Sequence, residues 1–211
     1  MSKTADRPDQ AYLALRRAII EQALRPGDKL REDEIGKLFS MSRTLVRQVL
    51  ARLSADGLVE TGGKRSAAVA TPGIEDAIAI FQVRRALERE AIALVMARWK
   101  PEFARRLESH LAKEEAAFSE GRSPLSIRLA GEFHILLAEM AGNPVLLKYI
   151  SEVVSRCSLI LAVFGRPHSA ECGIQEHREI IEALSKGDEA RARDLMRHQL
   201  GAVADRALIK P

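Results

Sequence analysis

The sequence has few aromatic residues, few cysteines and no long apolar run. Only 4% of its 211 residues are aromatic, whereas 46% are hydrophobic, mostly Ala, Leu, Ile and Val, which favours a predominantly helical protein. The longest apolar run, residues 159–164, is far too short to cross a bilayer, and residues 1–10 lack the apolar segment of a signal peptide. Cys157 and Cys172 show no CxxC spacing, so we expect reduced thiols and a cytoplasmic protein.

Positive charge is concentrated in the first third of the chain. Pro72 and Gly73 interrupt two regions of helical periodicity and divide the chain into residues 1–72 and 73–211. The first part contains 13 Lys and Arg against 9 Asp and Glu, whereas the second contains 20 of each class. We therefore expect a basic N-terminal module that meets a polyanion and a neutral C-terminal module with another task.

Three helices and a hairpin are predicted in the first module. The first helix ends at a Pro-Gly turn, and the second covers about 31–39, with Ile35, Leu38 and Phe39 expected to face inward. The third follows Ser42, whose hydroxyl can cap it, and continues to about residue 55. A short hairpin with a basic tip is then predicted within 58–70. This order is that of a winged helix-turn-helix.

Two arginines of the third helix lie outside its apolar stripe. Arg43 and Arg47 are four residues apart, so they share one helical face, and neither has a carboxylate four residues away. In a helix-turn-helix, this helix enters the major groove, where arginine can donate two hydrogen bonds to guanine. We predict that both arginines read DNA. The alternative, a solvated helix with incidental arginines, leaves the turn, the hairpin and the charge asymmetry unexplained.

Residues 24–60 resemble the DNA-binding domain of the GntR family of bacterial transcription regulators. The matching positions are Pro26-Gly27, Ser42-Arg43-Thr44 and Val46-Arg47. The chain departs from the common family form at Gly36, Leu45 and Gln48, where alanine, proline and glutamate are frequent. The predicted DNA-binding residues are Ser42, Arg43, Thr44, Arg47 and Gln48 on the helix and Lys64 and Arg65 at the hairpin tip.

The second module is predicted to be an all-helical bundle. Its helices are expected near 74–98, 101–119, 124–141, 144–165, 171–186 and 188–208, separated by Pro and Gly breaks. The predicted fold is therefore mainly α, with a winged helix-turn-helix before a helical bundle. The predicted domains are a flexible N-terminus at 1–9, a DNA-binding domain at 10–72 and an effector-binding and dimerisation domain at 73–211.

Three histidines have apolar or small residues around them at helical spacing. His134, His177 and His198 are therefore expected to face the bundle core. His177 and His198 lie at similar distances from the turn at Gly187, which places them at nearly one height of a helical hairpin. Each alone fits a buried histidine satisfied by a neighbour, but three converging imidazoles can bind zinc or a similar divalent ion. The other two are expected outside the core, His110 solvated and His168 in a loop.

The second module resembles the ligand-binding FCD domain of the FadR-like branch of GntR regulators. The matching segments are 84–92, 132–146 and 176–200. Metal-binding members of that branch ligate the ion through an aspartate and three histidines. The resemblance implies His134, His177 and His198 as ligands of a divalent metal, with Ala130 at the place of the aspartate. It also implies a weaker metal site, because one anionic ligand is missing.

Arg84 is the candidate effector-binding residue. It matches the arginine of the family pattern Arg-x-x-x-Glu, and its guanidinium could orient the carboxylate of an organic acid. The alternative is an ion pair between Arg84 and Glu88, four residues away on the same helix.

Three classes of function agree with these features. The first is a homodimeric transcription regulator in which a small organic acid, with or without the metal, alters the fit to a pseudo-palindromic operator. The second is a metal-dependent enzyme that uses the three histidines, although no general base is evident apart from Asp194. The third is a DNA-architectural protein without an effector. We expect the first, without enzymatic activity.

Overall fold

The computed structural model describes residues 7–61, 67–164 and 170–208. Three helices open the chain: α1 (Arg7–Ile20), α2 (Glu32–Phe39) and α3 (Arg43–Ala55). They pack around an apolar core because each turns an apolar stripe inward; Ile19, Val46 and Leu53 are almost completely buried there. Helix α1 begins three residues before the predicted start of the DNA-binding domain.

A small antiparallel sheet flanks these helices. Its strands are β1 (Lys29–Leu30), β2 (Val59–Glu60) and β3 (Ala67–Val69), in the order β1-β3-β2. Strands β2 and β3 form the predicted hairpin, whereas the two-residue strand β1 was not predicted. The hairpin tip with Lys64 and Arg65 lies outside the described residues. The predicted winged helix-turn-helix is thus confirmed in its helices and its sheet.

The local signals around α3 are confirmed, and one in α2 is wrong. The Ser42 hydroxyl accepts a hydrogen bond from the Leu45 backbone N–H at 3.4 Å and so caps α3. Ile35 of α2 is buried, but Leu38 is 74% exposed. The expectation that Leu38 faces inward fails because this eight-residue helix turns a single narrow side, centred on Ile35, towards α3.

Six helices form the second module, close to their predicted limits. They are α4 (Ile74–Ala97), α5 (Pro101–Ser119), α6 (Ser123–Ala141), α7 (Pro144–Phe164), α8 (Ala170–Ser185) and α9 (Glu189–Leu208). Pro101 and Pro144 occupy the first residues of α5 and α7, where a missing backbone N–H costs no helical hydrogen bond. Gly142 and Gly187 have positive φ and follow the C-terminal ends of α6 and α8.

The bundle has its own core, and it also packs against the first module. Phe133, Leu137, Ile150 and Ile180 are among the fully buried side chains of the bundle. Leu159 of α7 belongs instead to the core of the winged helix-turn-helix. The two modules therefore share a packed boundary along α7. In the described part of the chain, no helix is both long and apolar enough to cross a membrane.

Gly57 provides a test of the turn that follows α3. Its φ of +71° is a conformation that an L side chain rarely adopts, and an added Cβ would lie 2.8 Å from Arg156 Nε. Because the Arg156 side chain can move, backbone strain sets the cost. Gly57→Ala should lower the free energy of unfolding by about 1 kcal/mol, measured by urea denaturation.

Gly201→Ala is the matched control for this substitution. Gly201 lies inside α9, and an added Cβ there meets no atom within 4 Å. Helix propensity then favours alanine by up to about 1 kcal/mol, so this variant should be more stable than wild type. A Gly57→Ala variant as stable as Gly201→Ala would contradict the assigned turn.

Candidate nucleic-acid interface and bundle interior

Helix α3 presents a polar face to solvent. Ser42, at its N-cap, is exposed, and so are Arg43, Thr44, Arg47 and Gln48. The apolar residues between them turn the opposite way, into the core, which fixes the orientation of the helix. The sequence-predicted DNA-binding residues of α3 therefore share one accessible surface at the N-terminal half of this helix.

Arg47 has a partner that the spacing along α3 could not reveal. Its Nε donates to both carboxylate oxygens of Glu32, at 2.9 and 3.0 Å. Glu32 is the first residue of α2, so the helix-turn-helix brings together residues fifteen positions apart. The pair raises the pKa of Arg47. The lack of a carboxylate four residues away therefore does not leave Arg47 without an ion pair, although its side chain stays 70% exposed.

A third arginine of α3 has a structural role. Arg52 forms an ion pair with Asp9 at 2.7 Å, and its guanidinium lies 3.7 Å from the ring centre of Tyr12. The Tyr12 hydroxyl donates to Asp56, and burial together with this carboxylate raises the pKa of Tyr12 to about 12. These contacts fasten α1 to the far end of α3, opposite the candidate DNA-reading face.

The interior of the bundle contains a chain of three polar side chains. Arg84 Nε donates to Glu88 Oε1 at 2.6 Å, and Glu88 Oε2 accepts a hydrogen bond from His134 Nδ1. All three are almost completely buried. Because a carboxylate oxygen can only accept, the proton of the imidazole lies on Nδ1. Of the two predicted roles for Arg84, the structure therefore shows the ion pair with Glu88.

The pKa values follow from burial and charge. Burial raises the pKa of Glu88, but His134 and Arg84 outweigh it and lower that pKa to about 2. Burial lowers the pKa of His134 to about 4, although Glu88 acts in the opposite direction. At neutral pH, Arg84 and Glu88 are thus charged, and the His134 imidazole is neutral.

A second group of polar side chains joins α5 to α8. Glu114 Oε2 accepts a hydrogen bond from His177 Nδ1 at 3.0 Å, and Glu114 Oε1 lies 3.2 Å from His110 Nε2. His110 also donates to the Leu129 carbonyl at 2.9 Å. Burial raises the pKa of Glu114, but His110 and His177 outweigh that effect and lower the pKa to about 2. His110 is only 8% exposed, so the expectation that it is solvated is wrong.

Phe133 connects the two groups. Its ring stacks on His177 at a centroid distance of 3.9 Å, and His134 lies edge-on to both rings. The ring centroids of His134 and His177 are 5.4 Å apart. No described residue forms a hydrogen bond with His177 Nε2. Two of the three predicted histidines are therefore neighbours, and each turns its Nδ1 towards a carboxylate.

His198 does not join them. Its side chain is exposed, whereas the adjacent Gln199 is only 3% exposed. One residue along a helix rotates the side chain by about 100°, so α9 turns Gln199 into the bundle and His198 towards solvent. The expectation of an inward-facing His198 is wrong. Gln199 Oε1 is buried and has no hydrogen-bond partner within the part of the chain that the structure describes.

The residues at this place do not fit a zinc-type metal site. Such sites take three or four donor groups from the protein. His134 and His177 supply two imidazoles, but Ala130 has no donor atom and His198 is exposed. Within 7–61, 67–164 and 170–208, no group of three or more His, Cys, Asp or Glu could hold an ion. The described residues thus form imidazole–carboxylate contacts of the kind that orient metal ligands, but they do not supply the full set of ligands itself.

Comparison with known families assigns both modules. Residues 8–69 match the model of the bacterial regulatory proteins of the gntR family, and residues 79–202 match the FCD domain. The chain belongs to the GntR-type regulators with an FCD domain. It is therefore a DNA-binding transcription regulator, and both resemblances found in the sequence are confirmed. FCD domains are associated with metal binding in general, which makes the incomplete ligand set of this chain a departure.

The relatives are regulators as well. The chain is 28% identical to the HTH-type transcriptional regulator YdhC of Bacillus subtilis over 87% of this chain and 83% of that protein. It is 26% identical to the HTH-type transcriptional repressor RspR of Escherichia coli over 85% of this chain and 79% of that protein. None of these functions is enzymatic, in agreement with the expectation that the protein is not an enzyme.

Solved structures share the fold. McbR/YncC of Escherichia coli superposes with a TM-score of 0.83 at 22% identity, covering 96% of this chain and 95% of that one. A transcriptional regulator of the GntR type from Rhodococcus superposes with a TM-score of 0.81 at 24% identity, covering 96% of this chain and 98% of that one. The arrangement of a winged helix-turn-helix before an all-helical domain is thus found in both.

Sequence reasoning missed four residues of the bundle interior. They are Glu88, as a partner of His134, together with His110, Glu114 and Gln199. Glu114 and His110 lie four residues apart on α5, a spacing that indicates a shared face. Their neighbours are charged, so the spacing alone did not indicate that this face is buried.

The missing donors suggest a gain-of-binding experiment. Wild type should bind zinc weakly, because two imidazoles are too few for a stable site. The double variant Ala130→Asp with Gln199→His should bind one zinc ion per chain, since it places a carboxylate and an imidazole on faces directed inward. Equilibrium dialysis at neutral pH measures both.

A control separates this site from adventitious binding. His198→Ala should leave zinc binding unchanged in wild type and in the double variant, because His198 is exposed. Stoichiometric zinc in wild type that is lost in His198→Ala would instead support the three-histidine site implied by the sequence.

Proposed function

We propose that the protein is a homodimeric regulator that reads a pseudo-palindromic operator with α3 and responds to a small organic acid. The proposed division is a DNA-binding domain at 10–72, to which the first turn of α1 at 7–9 also belongs, and an effector-binding and dimerisation domain at 73–211. The protein would act in the cytoplasm, where bacterial DNA is located. The accessible face of α3 is the observation that carries the DNA-reading role.

The proposed DNA contacts follow from the geometry of α3. Arg43 and Gln48 extend from the exposed face, and Arg47 can exchange Glu32 for a guanine edge, which offers two acceptors in a similar arrangement. Ser42 and Thr44 are suited to phosphate oxygens beside the helix N-terminus. Lys64 and Arg65 of the wing are proposed to contact the DNA backbone without reading its sequence.

The effector part of the proposal rests on buried polar atoms. Among the residues described, nothing pairs with His177 Nε2 or Gln199 Oε1 in the bundle interior, and such groups are costly unless something binds them. An organic acid with a hydroxyl or amide group could satisfy them. Arg84 would bind the carboxylate of the acid only if it released Glu88, so the acid would exchange with Glu88 as the partner of Arg84. No divalent ion is needed for these contacts.

The dimer is proposed to form through the bundle. Ile74 and Ile78 lie one turn apart on α4 and are 38% and 43% exposed, which leaves an apolar surface on one helical face. A single recognition helix reads too few base pairs to select one site in a genome, and a second copy provides the second half-site.

DNA binding tests the proposal directly. Arg43→Ala and Arg47→Ala should each weaken binding to the duplex that wild type selects from a random library by about 1–3 kcal/mol, because each removes contacts to a base edge. Both should also reduce the preference for that duplex over unrelated DNA. Fluorescence anisotropy at fixed salt concentration measures both effects.

Arg105→Ala is the control for charge. Arg105 is an exposed residue of α5 in the neutral module, so its loss should leave affinity and preference unchanged. If the Arg43 and Arg47 variants kept the wild-type preference, α3 would not be the reading helix.

Light scattering tests the dimer. Wild type should have the mass of two chains at micromolar concentration, and Ile78→Glu should yield monomers because it places a charge on the proposed apolar contact. Phe118→Glu is a matched control, since Phe118 is similarly exposed at 40% but lies on α5. A monomeric wild type, or equal dissociation of both variants, would contradict the proposed interface.

A further inference from the structure

A cleft lies at the boundary between the DNA-binding domain and the bundle. Helix α1 forms one side and helices α6 and α7 form the other, around a cavity of about 200 Å³. Its apolar lining consists of Leu13, Ile20, Ile135 and Val154. The cleft is separate from the His134 and His177 group, which is enclosed within the bundle.

Three arginines line this cleft, and two of them are neutralised. Arg128 donates to Glu21 at 2.7 Å and to Glu132 at 2.6 Å, so it links α1 to α6. Arg17 also pairs with Glu21, at 2.8 Å. Both guanidinium groups therefore already have carboxylate partners.

Arg16 differs from the other two. Its Nη2 donates to the Ser155 hydroxyl at 2.6 Å and lies 3.4 Å from the Ser151 carbonyl oxygen. Both partners are uncharged, and among the described residues Arg16 forms no ion pair. The cleft thus combines one uncompensated positive charge with an apolar lining at a half-buried position. Screening by water is reduced at such a position, which strengthens attraction to an anion.

We propose that this cleft binds a small organic monoanion with a short apolar tail. The carboxylate lies against Arg16, and the tail covers Ile20, Ile135 and Val154. A single uncompensated cation matches a single negative charge, which favours a monoanion over a doubly charged phosphate ester. The bound acid contacts α1 of one domain and α6 and α7 of the other. The site is independent of the bundle interior and of DNA binding.

Isothermal titration calorimetry of the full chain with hexanoate tests the site in the absence of DNA. Wild type should bind hexanoate saturably, and acetate and hexanol should bind at least about tenfold more weakly, because each lacks one of the two complementary parts. Arg16→Gln should weaken hexanoate by about tenfold or more. Leu13→Glu, which adds a carboxylate at an exposed position of the cleft, should do the same without removing the Arg16 contact to Ser155.

Arg105→Gln is the control, because it removes the same charge from α5, which contributes no residue to the cleft. It should bind hexanoate as wild type does. Absence of saturable hexanoate binding to wild type would overturn the proposal. So would equal weakening by Arg105→Gln, or wild-type affinity in both Arg16→Gln and Leu13→Glu. Since no DNA is present, each result stands whether or not the proposed operator is read.

Discussion

The arrangement of the helices in the bundle depends on how charged side chains are paired in its interior. Arg84 and Glu88 are removed from water together, and an isolated buried charge would cost several kcal/mol. The pair is tolerated because Glu88 also accepts the proton of His134, which satisfies its second oxygen. The contact joins α4 to α6, and Glu114 joins α5 to α8 in the same way. Directional polar contacts therefore fix the relative rotation of four helices, which apolar packing alone specifies less strictly.

These contacts explain why an FCD fold can persist without the ligands of a metal. In a metal site, the carboxylates would orient imidazoles whose other nitrogens bind the ion. Here each imidazole turns its Nδ1 to a carboxylate in the same way, while Ala130 has no donor atom and His198 is exposed. The Phe133 ring, stacked on His177, fills space beside the imidazoles. The cross-links between helices are then protein to protein, and they do not require an ion.

The helices could be predicted from sequence because their ends are local. Pro101, Pro144, Gly142 and Gly187 act through backbone geometry that needs no tertiary context. The interior could not be predicted to the same degree. Gln199 and His198 are adjacent in a helix rich in charged residues, and a weak apolar pattern leaves the rotation of α9 uncertain by one residue. The pairing of Arg47 with Glu32 likewise depends on the angle between two helices.

The pairing of Arg47 with Glu32 bears on the proposed reading of DNA by α3. In the free protein the Arg47 Nε–H is shared between both carboxylate oxygens of Glu32, so a base would have to replace this partner rather than simply add a contact. An exposed ion pair of this kind is weak, because water screens it. A guanine edge with two well-placed acceptors can replace it, whereas a poorly aligned base offers less than the carboxylate does. If Arg47 reads a base as proposed, Glu32 would act as an internal competitor and would disfavour attachment to unrelated sequences during the search along a chromosome.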